Sequence, residues 1–90
     1  MTPNEQVITT ITPAQQSAID AIRTFFMNEG SWDKVEAALT EAKSDCYIEK
    51  PEVPRTSKSW HLDTIVRDSY YDLRQIGLTD EAAWLAVKDC

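Results

Sequence analysis

Residues that carry catalytic, redox or metal chemistry are scarce in this sequence of 90 residues, which has one histidine, two cysteines and two glycines. Cys46 and Cys90 are too few for a disulfide framework or for a zinc site made of cysteines alone. We expect two reduced thiols, and a single bridge between them is the alternative. Both glycines follow a predicted helix instead of opening one, which gives no phosphate-binding loop. His61 has no orienting group at a recognisable spacing, so we predict no catalytic residue, cofactor or metal and interpret the chain as a non-enzyme.

Long apolar runs and basic residues are also few. No stretch approaches the ~20 apolar residues of a membrane span, and no secretory signal is visible, so we expect a cytoplasmic protein without membrane contact. Fifteen acids against nine bases give a net charge of −6, which disfavours direct binding to nucleic acid because phosphates require positive charge. Residues 1–49 hold eight of the acids and three of the bases. This excess of negative charge predicts a larger protein partner with a basic surface.

The first half of the chain predicts an extended arm and a pair of helices. Residues 1–11 are polar apart from Val7, Ile8 and Ile11, which favours an extended arm or at most a short edge strand. Thr12 and Gln15 form a T-x-x-Q capping box, and an apolar stripe at helical spacing continues to Phe26. Gly30 is predicted to supply the left-handed position that ends this helix. Ser31 then caps a second helix with an apolar face over positions 35–42.

Two prolines separate this pair from a second one. Pro51 and Pro54 exclude a helix from residues 47–59, which form a locally basic linker. A third helix is predicted from about Ser59 to Ile76, and Gly77 ends it in a Schellman turn. A final helix begins after a cap at position 79. The fold class predicted for the single domain 1–90 is therefore all-α, a small bundle of about four helices in two pairs.

Charged and aromatic residues give the candidate interaction site. Glu29, Asp33 and Glu36 fall near one face of the second helix. They form either a solvated helix surface or an acidic stripe that complements a basic groove. The aromatic residues Trp32, Trp60 and Tyr71 lie off or at the edge of the apolar stripes, where a ring either covers the core or anchors an interface. These six residues are the predicted interaction site.

The carboxyl-terminal stretch D-L-R-Q-I-G-L-T-D-E-A-A-W-L-A-V-K-D-C (72–90) resembles the first turn and second helix of a ubiquitin-associated domain. The resemblance covers about a fifth of the chain, and no third helix follows it. It implies that Ile76, Gly77 and Leu78 form a ubiquitin-contacting loop. The Schellman turn explains the same three residues without a ligand.

These features together favour a non-enzymatic, acidic protein-interaction module. By analogy of profile, the sequence fits a phage-type inhibitor of the anti-CRISPR or anti-restriction class, which occludes a basic or nucleic-acid-binding surface of a larger protein. The alternatives are an adaptor module of the ubiquitin-associated type and a homo-oligomeric structural protein. The sequence also allows a homodimer.

Overall fold

Five helical segments build the fold in the computed structural model, which describes residues 11–90. They are α1 (Pro13–Phe26), α2 (Trp32–Lys43), a 3₁₀ helix (Lys58–His61), α3 (Thr64–Gln75) and α4 (Asp80–Val87). Helix α1 packs against α2, and α3 packs against α4. Residues 11–90 contain no strand, so the predicted all-α fold with two helical pairs is confirmed. Of the arm predicted at 1–11, residues 1–10 lie outside the described part of the chain.

The start of α1 follows the predicted capping box. The Thr12 hydroxyl accepts a hydrogen bond from the Gln15 backbone N–H at 3.1 Å, and the Gln15 side-chain oxygen accepts one from the Thr12 backbone N–H at 3.0 Å. The amide nitrogen of Gln15 also donates to the carbonyl of Ile76 at 3.0 Å. One buried side chain therefore caps α1 and joins it to the turn between α3 and α4.

The end of α1 differs from the prediction, because Asn28 and not Gly30 takes the left-handed conformation. Asn28 has φ of +62°, and the backbone N–H of Glu29 reaches back to the carbonyl of Thr24 at 3.0 Å. This is a Schellman turn with asparagine at the position that glycine usually occupies. Asparagine tolerates that conformation better than other residues with side chains, which frees Gly30 for a different role. A Cβ atom on Gly30 would lie 3.1 Å from the Thr24 methyl carbon, so the glycine provides space.

The third helix begins later than predicted. The segment Lys58–His61 is a 3₁₀ helix, and Leu62 and Asp63 are extended before α3 starts at Thr64. The sequence of this segment predicts a buried stripe at Leu62, Ile65, Val66, Ser69, Tyr70, Leu73 and Ile76. Ile65 departs from this prediction, because it is 66% exposed. The stripe from Val66 to Ile76 is buried as expected.

The turn between α3 and α4 has the predicted geometry. Gly77 has φ of +104°, and the backbone N–H of Leu78 donates to the carbonyl of Leu73 at 3.2 Å. Thr79 caps α4 by accepting a hydrogen bond from the Ala82 backbone N–H at 3.2 Å. Both features are set by local sequence, which explains why they were predictable.

The proline-containing linker lies against α3. The N–H of Ile48 donates to the carbonyl of Gln75 at 2.7 Å, and the Gln75 side chain donates to the carbonyl of Glu49 at 3.0 Å. Arg74 donates to the carbonyl of Glu52, and Pro51 is buried. Side chains at the end of α3 thus satisfy backbone carbonyls of the linker, and these hydrogen bonds hold the linker against α3.

Hydroxyl groups fix the end of the linker to the second helical pair. The Asp80 carboxylate accepts hydrogen bonds from the Ser57 hydroxyl and from the Tyr70 hydroxyl, both at 2.6 Å. The Ser59 hydroxyl oxygen lies 2.7 Å from the Ser57 hydroxyl oxygen. The Ser57 oxygen also accepts a hydrogen bond from the Ser59 backbone N–H at 3.1 Å. Because Ser57 gives its proton to Asp80, Ser59 must be the donor to Ser57. These bonds hold the 3₁₀ helix in place.

The core takes side chains from all four α-helices and from the α3–α4 turn. Its members are Ala18, Ile19, Ile22, Val35, Leu39, Ala42, Val66, Tyr70, Leu73, Ile76, Leu78, Ala83, Ala86 and Val87. Between residues 11 and 90, none of the helices has the length and apolar content that crossing a bilayer requires.

Candidate protein-interaction site

The acidic residues predicted to bind a partner lie on and just before α2. Ser31 caps this helix, and Asp33 in its first turn is favourably placed against the helix dipole. Glu36 follows three residues later, so both carboxylates lie on one side of the helix. Glu29 is in the preceding loop. All three are exposed, and together with Trp32 they are called the α2 surface below.

Trp32 is the aromatic member of the α2 surface. Its ring is 38% exposed and makes an edge-to-face contact with Phe25 of α1, with the ring centroids 5.1 Å apart. Such a contact restrains the indole, while more than a third of the residue remains open to solvent. An aromatic ring that is held on one side and open on the other loses little entropy on binding.

The carboxylates of the α2 surface are not neutralised by ion pairs. Within residues 11–90 the single ion pair joins Lys88 to Asp89 at 3.8 Å, far along the chain from α2. Residues 29–45 contain five acids and two lysines. The surface therefore carries a net negative potential that attracts basic groups.

A depression of about 160 Å³ connects the α2 surface to α3. Trp32 and Glu36 line it together with Lys43 and, from α3, Asp72. Burial raises the pKa of the Asp72 carboxyl above its usual range; Lys43 acts in the opposite direction, and Asp68 raises it further. Asp72 is missing from the predicted site, because only the packing of α3 against α2 brings it to this position.

Trp60 and Tyr71 lie on a second surface. Together with Val53 and Arg67 they line a depression of about 170 Å³ between the linker and α3. The indole N–H of Trp60 donates to the carbonyl of Pro54 at 2.8 Å, and the Arg67 guanidinium lies 5.9 Å from the ring centre. Trp60 is 51% exposed. The six predicted residues thus fall into two groups, four on the α2 surface and two here.

The groups with redox or acid–base chemistry are dispersed. Cys46 and Cys90 are free and exposed. Partial burial raises the pKa of the Cys90 thiol, with Arg23 acting against the increase and Asp89 adding to it, which leaves less of the nucleophilic thiolate. His61 is exposed. In the part of the chain that the structure describes, no three His, Cys, Asp or Glu side chains meet in a way that would hold a metal ion.

The loop that the ubiquitin-associated resemblance assigns to partner contact is buried. Ile76 and Leu78 are both 0% exposed, and Gly77 is covered by Cys46 and Gln15. A partner would reach these side chains only if the turn opened. The structure therefore assigns Ile76, Gly77 and Leu78 to the core and to the Schellman turn.

Comparisons with known proteins identify no relative of this chain. No protein-family model, no curated protein and no solved structure matches this chain.

Proposed function

We propose that this chain is a non-enzymatic protein-interaction module that binds a basic surface of a larger protein through the α2 surface. The observation that carries the proposal is the set of three exposed, unpaired carboxylates beside a partly exposed Trp32. The carboxylates would steer the partner during encounter, and the indole would anchor it after contact.

The depression beside Trp32 supports the same binding mode. Glu36 and Asp72 both line it, and Lys43 is the one basic residue that lines it within residues 11–90. A lysine or arginine of the partner entering this depression would meet two carboxylates and an aromatic ring. A cation close to Asp72 would also lower the pKa of that carboxyl, which is raised in the free protein.

An acidic face of this kind suits an inhibitor of a nucleic-acid enzyme. Surfaces that bind nucleic acid are basic because they must neutralise phosphates. A protein that presents carboxylates to such a surface would compete with the nucleic acid. This is the action of a cytoplasmic phage-type inhibitor of the anti-CRISPR or anti-restriction class, which we propose as the specific form of the function.

The test begins with affinity capture from the native host by the full chain. Each captured protein is compared in binding to the parent chain and to a variant carrying Glu29→Lys, Asp33→Lys and Glu36→Lys. We expect the variant to associate more slowly and with a weaker dependence on salt concentration, because it lacks the charges that steer encounter. A DNA or RNA fragment bound by the captured protein should also compete with the parent chain.

A matched control separates site-specific binding from the effect of net charge. The variant with Glu49→Lys, Glu52→Lys and Asp89→Lys changes the same number of exposed acids outside the α2 surface and outside both depressions. We expect it to bind close to the parent rate. Equal losses in both variants would contradict the proposal. An unchanged α2 variant together with loss on Trp60→Ala would instead place the interface at the second depression.

A further inference from the structure

Helix α4 carries an exposed leucine on its outward side. Every residue from 82 to 87 is apolar. Ala83, Ala86 and Val87 face the core, whereas Leu85 points outward and is 46% exposed. The exposed Glu81 and Lys88 lie on the same side of the helix, four residues before Leu85 and three residues after it. Within residues 11–90, nearly half of Leu85 is therefore left uncovered between two charged side chains.

A groove runs beside this exposed side, between α4 and α1. It has a volume of about 370 Å³. Its apolar lining comes from Ile11, from Ile19 of α1, and from Ala82, Leu85 and Ala86 of α4. A protruding leucine and an apolar groove thus lie on one face. Such a face is complementary to itself when rotated about a twofold axis.

The charges on this face also favour a second copy of the chain as its occupant. Glu81 lies at the amino end of α4, and Lys88 follows its carboxyl end. In an antiparallel crossing, Glu81 of one copy lies near Lys88 of the other, and the helix dipoles oppose each other. The contact of Lys88 with Asp89 does not prevent this, because that pair is exposed and weak.

The residues that line the groove carry little net charge, whereas the whole chain is acidic. Among residues 11–90, Asp20 and Arg23 are the charged residues that line the groove, and the Arg23 guanidinium donates a hydrogen bond to the Ala86 carbonyl at 2.8 Å. Two copies that each carry a net charge of −6 repel each other least where the local charge is balanced. The α1–α4 face meets this condition, whereas the α2 surface does not.

We propose that two copies of this chain associate through the α1–α4 groove about a twofold axis, with Leu85 of each copy in the groove of the other. The two α4 helices cross in antiparallel orientation near Ala82, whose small side chain permits close approach. None of the residues that line the groove belongs to the α2 surface. The dimer therefore leaves that surface open on both copies.

The oligomeric state of the full chain tests the interface. Sedimentation velocity over a range of concentrations should show a monomer–dimer equilibrium. Leu85→Glu should raise the dimer dissociation constant by roughly 100-fold, because association would then bury an unpaired carboxylate. Ile65→Glu is the matched control, since Ile65 is 66% exposed on α3 and outside the groove. It should leave the equilibrium unchanged, and thermal melting should confirm that both variants fold.

A charge exchange tests the antiparallel orientation. Glu81→Lys and Lys88→Glu should each weaken the dimer at low salt, and the double variant should restore it. A parent chain that stays monomeric up to millimolar concentration overturns the proposal, as does a dimer that Leu85→Glu leaves intact. Single charge variants that associate like the parent overturn the orientation.

Discussion

Tyr70 of α3 donates its hydroxyl proton to the carboxylate of Asp80, the first residue of α4, across 2.6 Å. Tyr70 is only 1% exposed. The carboxylate at the amino end of α4 is therefore bound by a buried phenol and also by the hydroxyl of Ser57. This arrangement joins the linker, α3 and α4 at one point.

Removal of the phenol oxygen should weaken this junction. We expect Tyr70→Phe to lower the free energy of unfolding by about 2 kcal/mol, since hydrogen bonds to charged groups contribute roughly 1.5–3 kcal/mol. Urea unfolding measures the loss. Tyr47→Phe is the control, because Tyr47 is 51% exposed and should tolerate loss of its hydroxyl. Equal midpoints for the two variants would show that the Asp80 junction adds no stability.

The two glycines should respond differently to substitution by alanine. At Gly77 a Cβ atom would lie 2.9 Å from the Cys46 sulfur, and the φ of +104° is unfavourable for any residue with a side chain. We expect Gly77→Ala to cost more than ~1–2 kcal/mol. Gly30→Ala should cost less, because Gly30 is not left-handed and its close neighbour is a methyl group. Thermal melting compares them, and the reverse order would be inconsistent with the described turn.

The stability of the fold should depend on the ionisation of Asp72. Burial raises the pKa of this carboxyl in the folded state. At pH values just above the usual pKa of aspartate, the folded chain therefore binds more protons than the unfolded chain. The contribution of Asp72 to stability therefore falls as the pH rises through that interval. We expect Asp72→Asn to stabilise the protein at neutral pH and to lose this advantage under acidic conditions. Melting temperatures of the parent chain and of Asp72→Asn across pH 4–7 test this, and a difference that does not change with pH would contradict it.

Truncation of Trp32 should affect the lifetime of the proposed complex more than its formation. The indole is held by Phe25 and open on its other side, which is typical of an anchor that becomes desolvated on binding. We expect Trp32→Ala to raise the dissociation rate from the captured partner at least ~10-fold with a smaller effect on association. Trp60→Ala removes an equally large ring from the second depression and should leave the dissociation rate unchanged.

The elements predicted correctly are those whose signals are local. The capping box of Thr12 and Gln15 and the Schellman turn at Gly77 each need only a few consecutive residues. The predicted end of α1 is wrong because Asn28 and Gly30 are only two residues apart and both residue types suit a left-handed position. The structure shows that Asn28 takes it, whereas Gly30 leaves space for the Thr24 methyl group.

The arrangement of the candidate site depends on contacts between segments distant in sequence. Trp60 and Tyr71 are eleven residues apart, and in the continuous helix predicted there they would be separated by roughly 16 Å along the axis. The extended residues 62 and 63 break this helix, so both rings line one depression. The hydrogen bonds of Ser57 and Ser59 help to position this break in the helix, and no periodic pattern in the sequence predicts them. Asp72 reaches the α2 surface for the same non-local reason.

The double role of Gln15 has a consequence for the order of folding. Its side-chain oxygen closes a cap only three residues away, a contact that a nascent helix can make within microseconds. Its amide nitrogen meets the carbonyl of Ile76 across 61 residues of chain, so that bond must wait until the two helical pairs dock. The docking step that buries it therefore joins the start of α1 to the α3–α4 turn in a single cooperative event, and neither pair completes its native hydrogen bonding alone.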